Sequence, residues 1–218
     1  MIFLSHLNQI GDYEMNVYII LTDTGTLFTR IIKLFTRHPL NHVSVSFTRK
    51  LDETYSFGRK RPKNPFIGGF VREDMNGSLF RHADCAIYCC SVSEYHYNRM
   101  KMLIKQIEVQ QQLYKYNLIG LFGVLFNKRW DREKAFFCSE FVATVLYHGG
   151  IFIENKPPSL VKPYDFVVNP ELQLVYEGPL NAYLLAQSPD TVCEVKRQRR
   201  NCLSYLSAIR QKFAKHAS

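Results

Sequence analysis

Of the six cysteines in this 218-residue chain, Cys138 stands in a context unlike the others. It begins the run CSEFVATVLYH, where Cys138, Phe141, Val142, Val145 and Leu146 fall at i, i+3, i+4, i+7 and i+8. That spacing predicts a helix over 138–148 with the thiol on its apolar face, closed by Gly149-Gly150 as a C-cap. A thiol at the start of a helix feels unpaired amides and the positive end of the macrodipole. Both favour the thiolate, which is the nucleophilic form. Glu140, in the first turn, suits the dipole, although its charge pushes slightly against thiolate formation.

A thiolate nucleophile needs a proton carrier, and His42 is the candidate. The run HVSVSF alternates strictly, with Val43, Val45 and Phe47 on one face and His42, Ser44 and Ser46 on the other. This is a strand buried on one side, and its polar face would present the imidazole to a cleft. A Cys–His pair is chemically sensible because imidazole stabilises the thiolate and then protonates the leaving group. A third group must orient the ring. The following strand offers Glu53, Thr54 and Ser56, and a hairpin register with Ser44 opposite Ser56 would put Ser56 on the His42 face.

The elements that must carry these residues read as follows. Asn16 to Leu21 is a buried strand. Thr22-Asp23-Thr24 then provides N-cap chemistry for a helix with Leu27, Ile31, Leu34 and Phe35 at helical spacing, ended by Pro39. His42–Phe47 and Thr54–Phe57 form a hairpin about Lys50–Asp52. Residues 58–82 are rich in Gly, Pro, Asn and Arg and read as a long excursion of the functional kind. A strand over Ala83–Val92 is followed by a long helix over Ser93–Tyr116, striped by Tyr97, Met100, Ile104, Ile107 and Tyr114. The 138–148 helix leads into a Pro-punctuated region and a short strand near Leu172–Tyr176. The fold class expected is α+β, with an antiparallel sheet packed against helices.

Several of these segments resemble one family. FTRHPLNHVSVSF, TYSFGRK, FIGGFVRED, YNLIGL and FFCSEFVATVLYHGG occur in that order, spanning most of residues 14–180. The pattern resembles the circularly permuted branch of the NlpC-type papain-like superfamily, in which the histidine precedes the cysteine. The resemblance implies Cys138 as nucleophile and His42 as base. The family's third residue is a polar group on the next strand, often acidic or a second histidine, and Ser56 stands near that place. It implies acyl transfer through a thioester, with amide hydrolysis the commonest outcome. Phe66, Phe70, Arg59, Lys60, Arg61 and Lys63 would then roof the cleft. The other two readings are a lipid acyltransferase of the lecithin:retinol acyltransferase type and a non-catalytic module that grips an anionic polymer.

Composition narrows the field further. The chain is 46% hydrophobic and 22% charged, ordinary globular values that exclude disorder, collagen and coiled coil. The length suits a catalytic domain over 1–187 with a tail over 188–218. Net charge is +9, and residues 192–218 hold seven Lys/Arg against one acid, so the basicity belongs mainly to that tail. Val195, Cys202, Leu206, Ile209 and Phe213 share one side of it, a basic amphipathic pattern suited to an anionic surface or polymer. No zinc-knuckle or RNP-type pattern suggests specific nucleic-acid recognition. The longest apolar run, Tyr116–Phe126, is shorter than the roughly 20 residues that a spanning helix needs. With no basic segment before MIFLSHL, cytoplasmic residence is expected. His82, Cys85, Cys89 and Cys90 do not make a metal site, because alternation along a strand turns Cys90 away from Cys85 and Cys89. No cofactor is implied.

Overall fold

The run of β-branched and aromatic residues early in the chain forms β1 (Glu14–Asp23), the central strand of the molecule. The structure is a computed structural model that describes residues 14–23, 40, 42–61, 64–117, 134–154 and 156–187, with backbone alone over 59–61 and 64–67. The expected helix over 27–35, Cys193, Cys202 and the basic tail lie outside these residues. Thr22 and Asp23 belong to β1, where Thr22 is fully buried.

Next come β2 (His42–Ser46), β3 (Thr54–Arg61), β4 (Asn64–Glu73) and β5 (Asp84–Ser93). Helix α1 (Glu94–Val109) follows, then two short strands, β6 (Lys115–Tyr116) and β7 (Ala135–Phe136). Helix α2 (Cys138–His148), a 3-10 turn at Pro158–Leu160, α3 (Pro163–Val167), β8 (Gln173–Pro179) and α4 (Leu180–Ala186) complete the described chain. Six strands make one antiparallel sheet in the order β4-β3-β2-β1-β5-β8, and β6 pairs with β7 in parallel. The molecule is mixed α+β, as its pattern of elements predicts.

The strict alternation of β1 and β2 sorts their side chains onto two faces. Val17, Ile19, Leu21, Val43 and Val45 meet Met100, Ile104 and Ile107 of α1 and Phe141, Val142, Val145 and Leu146 of α2. On the other face Tyr18, Ile20 and Ile87 pack beneath Leu51, Met75, Phe80, Leu180 and Tyr183. Among the described residues no helix is long and apolar enough to cross a membrane.

Two expectations need correction. Residues 58–82 are not one excursion: β3 runs to Arg61 and β4 returns over Asn64–Glu73, so among the described residues the loop is the stretch after Glu73. The Gly, Pro and Asn that suggest a loop sit inside a hairpin, where Gly68 leaves the space that Tyr116 fills; a Cβ there would lie 2.8 Å from the Tyr116 Cβ. Phe70 consequently does not roof a cleft. It is buried against Tyr55, Phe57 and Phe141. The helix expected over Ser93–Tyr116 begins as expected, with Ser93 accepting from the His96 amide, but ends at Val109. Beyond it Tyr114 stacks on Phe136 with ring centroids 6.0 Å apart, and this aromatic packing draws the chain off the helical path into β6.

Candidate active site

Cys138 is the first residue of α2, and the local sequence fixes it there. Phe137 is extended, its amide donates to the Glu140 carboxylate at 3.4 Å, and its carbonyl accepts the first helical bond from Phe141 at 3.0 Å. Glu140 is thus committed to capping the helix. Ser139 donates to the Val161 carbonyl at 2.7 Å, which ties the helix start to the segment beyond the 3-10 turn. At the other end the Gly149 amide donates to Val145 and Leu146, and Gly150, at φ +78°, takes the left-handed conformation that ends the helix. Phe141, Val142, Val145 and Leu146 are completely buried, which holds the axis and places the thiol, itself 5% exposed, against the sheet.

His42 enters at the end of β2. Pairing with β3 runs over Val45↔Tyr55 and Ser46↔Thr54, so the two strands are not held together by this ladder beside the histidine. Helix α2 packs on both strands. The imidazole lies over Gly58, where a Cβ would sit 3.4 Å from its Cε1 and 3.2 Å from the Ser56 hydroxyl. A glycine here makes room for the ring.

The ring's orienting partner is Glu73, the last residue of β4. His42 Nε2 lies 2.7 Å from Glu73 Oε1. Thr54 faces Glu73 across β3 and β4, and Ser46 faces Thr54 across β2 and β3, so the carboxylate shares the polar face of β2. Ser56 shares that face as expected, but it donates to Glu73 Oε1 at 2.6 Å instead of orienting the ring directly. Ser44 donates to Oε2 at 2.5 Å. The other two candidates are spoken for: Thr54 donates to the Leu51 carbonyl, and Glu53 pairs with Lys101. The group bonded to the imidazole is therefore Glu73. Sequence reasoning sought it on β3, whereas it lies one strand farther out. The signal was in FVRED, where alternation places Val71 and Glu73 on one face once a hairpin is assumed.

The electrostatics follow from this geometry. Burial works against a charged imidazole, but the Glu73 carboxylate, together with hydrogen bonding and charge at Cys138, outweighs it and raises His42 to about 10. Burial likewise pushes Glu73 up, yet the His42 charge and the bonds from His42, Ser44 and Ser56 hold its carboxyl below the ordinary value. At neutral pH the pair is imidazolium and carboxylate. Nε2 is the ring nitrogen engaged by Glu73.

No family model, curated protein or solved structure matches this chain.

The thiols of β5 offer a different environment. Cys85 and Cys90 are buried among apolar neighbours, which pushes each up to about 12, and Cys89, half-buried, is also raised by burial. Cys85 and Cys89 lie on one face of the sheet and Cys90 on the other. Among the described residues no group of His, Cys, Asp and Glu is placed to hold a metal ion.

What the arrangement can do is specific. Cys138 lies near enough to His42 for hydrogen bonding and charge to help raise the imidazole, which is itself bonded to the buried Glu73 carboxylate. The Cys138 amide opens the helix, where backbone N–H groups have no intrahelical acceptor and are directed at whatever binds there. A thiol, an imidazole and a carboxylate are thereby gathered near one helix start.

Proposed function

We propose that this chain is a thiol-dependent hydrolase of amide bonds, with Cys138 as nucleophile, His42 as proton carrier and Glu73 as the residue that orients and charges the imidazole. The observation that carries this reading is a histidine bonded to a buried carboxylate with the first residue of α2 near enough to influence its charge. The order of elements is in keeping with the permuted papain-like architecture that the sequence resembles: histidine strand before cysteine helix, antiparallel sheet against that helix.

The reaction follows in balanced steps. The Cys138 thiolate attacks the amide carbonyl carbon, forming the C–S bond and a tetrahedral oxyanion that accepts from the backbone amide at the helix start. The His42 imidazolium passes its proton to the amide nitrogen, the C–N bond breaks, and the amine departs from a thioester on Cys138. The ring, now neutral, takes a proton from water as the hydroxyl adds to the thioester. Collapse releases the carboxylic acid and restores the thiolate beside the imidazolium. Glu73 stays ionised throughout and holds the ring by Nε2.

The test is acyl-enzyme trapping. The chain is incubated with a panel of chromogenic peptide anilides and quenched in acid, and the Cys138 peptide is analysed by mass. The reading requires an acyl adduct on Cys138 that is absent from Cys138→Ala and accumulates when water attack is slowed. Turnover that persists in Cys138→Ala contradicts it.

A further inference from the structure

The site's polar scaffold contains two residues whose burial demands an explanation. Ser44 and Ser56 are completely shielded from solvent, each on a strand whose alternate positions are filled by Val43, Val45, Tyr55 and Phe57. A buried hydroxyl is costly unless it is bonded, and an alanine would fill such a position more cheaply. Ser46, also buried, uses its hydroxyl locally, donating to the carbonyls of Thr48 and Glu53 about the β2–β3 turn. Ser44 and Ser56 make no such turn. Both are aimed at one carboxylate: Ser44 at Oε2 from 2.5 Å and Ser56 at Oε1 from 2.6 Å. Oε1 is also the oxygen that meets His42 Nε2 at 2.7 Å, and the Ser44 hydroxyl stands 3.4 Å from that same nitrogen.

We propose that Ser44 and Ser56 are positioning residues that act through Glu73: one hydroxyl from each of two strands grips each carboxylate oxygen, fixing the plane in which the carboxylate meets the imidazole and keeping it ionised. A carboxylate held at one oxygen can rotate about its last torsion, whereas held at both it cannot. Two donated hydrogen bonds also replace part of the hydration that burial removes, and hydrogen bonds to a charged group are the strong ones. The groups that set the charge of the pair are few. His42 comes from β2, Glu73 from β4 and Cys138 from α2, while Thr54, facing Glu73 from β3, is uncharged. Asp52, Arg72 and Asp74 line a pocket together with Glu73.

The inference deepens the hydrolase reading, but its test does not depend on turnover. His42 is titrated by NMR of its ring nitrogens in the Cys138→Ala chain, so that the thiol does not titrate with it. It is then titrated again with Ser44→Ala, Ser56→Ala and both added. The midpoint lies above the ordinary histidine value with both serines present and falls toward that value as each hydroxyl is removed, most in the double variant. Ser44→Thr, which keeps the hydroxyl, titrates like its parent, and Ser44→Ala alone gives the comparison if the double variant does not fold. In the chain that retains Cys138, the same alanine variants lower kcat about tenfold with little change in KM, as expected for loss of a hydrogen bond to a charged group. A folded double variant whose His42 midpoint equals that of its parent overturns the proposal. A chain without hydrolase activity overturns the functional reading and leaves this titration to decide the role of the serines.

Discussion

Cys138 and the cysteines of β5 are the same residue in two surroundings. Cys85 and Cys90 are buried as deeply as Cys138, at 1%, 5% and 5% exposure. The difference lies in what surrounds the sulfur. On β5 the neighbours are the apolar side chains of a sheet, which offer an anion nothing, so burial pushes those thiols up to about 12. At the start of α2 the sulfur instead has beside it an imidazole that is bonded to a buried carboxylate. Burial by itself makes a cysteine inert; on the proposed reading, burial beside matched charge makes it a reagent.

The largest effect expected from this comparison is on turnover. Cys138→Ala abolishes it and His42→Ala costs about 100- to 10,000-fold, whereas Cys85→Ala and Cys90→Ala leave kcat/KM at the parental value while lowering the unfolding midpoint. Steady-state hydrolysis and thermal unfolding of the four variants side by side check this. Activity lost equally from the β5 variants would erase the distinction.

Glu73→Gln sharpens the comparison by removing the charge and keeping the shape. Without the carboxylate, the imidazolium gives up its proton at lower pH than the value of about 10 that it now reaches. Because the leaving amine needs that proton, the alkaline limb of kcat/KM moves to lower pH and turnover falls by about 10- to 1,000-fold, less than for loss of the histidine. A pH–rate profile that does not move would remove Glu73 from the constellation.

How far the site was legible follows from where its parts sit. The helix over 138–148 and the strand over 42–46 declare themselves by strong periodicity, so Cys138 and His42 could be named as candidates from local pattern. Glu73 could not be, because its role depends on a register among β2, β3 and β4, and register is a tertiary fact. The glycines of β4 concealed the strand as well. Gly68 reads as a turn residue until Tyr116 is seen to occupy its missing side chain. The end of α1 was hidden for a similar reason: Tyr114 continues the helical stripe, and only its stacking on Phe136 shows that the chain has already turned.

Stability against pH carries the comparison into smaller effects. His42 binds its proton more tightly in the folded chain, so its contribution is complete below the ordinary value of 6.5 and is lost as pH rises through about 10. Glu73, held below the ordinary 4.5, contributes above that value, and its share is lost as pH falls below it. Cys85 and Cys90 keep protons that the unfolded chain releases, so stability falls again as pH rises from 9 toward about 12. Urea unfolding across pH separates these: His42→Ala flattens the slope between about 6.5 and 10, and Cys90→Ala flattens it above 9. Identical slopes in both variants would show that the pair and the thiol are not in different environments.

The most direct measurement is the alkylation rate of each cysteine by iodoacetamide, followed peptide by peptide as a function of pH. The account predicts that Cys138 reacts fastest of the described thiols well below pH 8, although it is buried and Cys89 is half-exposed. It also predicts that His42→Ala removes this advantage and that Cys85 and Cys90 stay unmodified until the chain unfolds. A Cys138 that reacts no faster than Cys89 at neutral pH, or whose rate is indifferent to His42→Ala, would contradict the claim that these two residues form a nucleophilic pair.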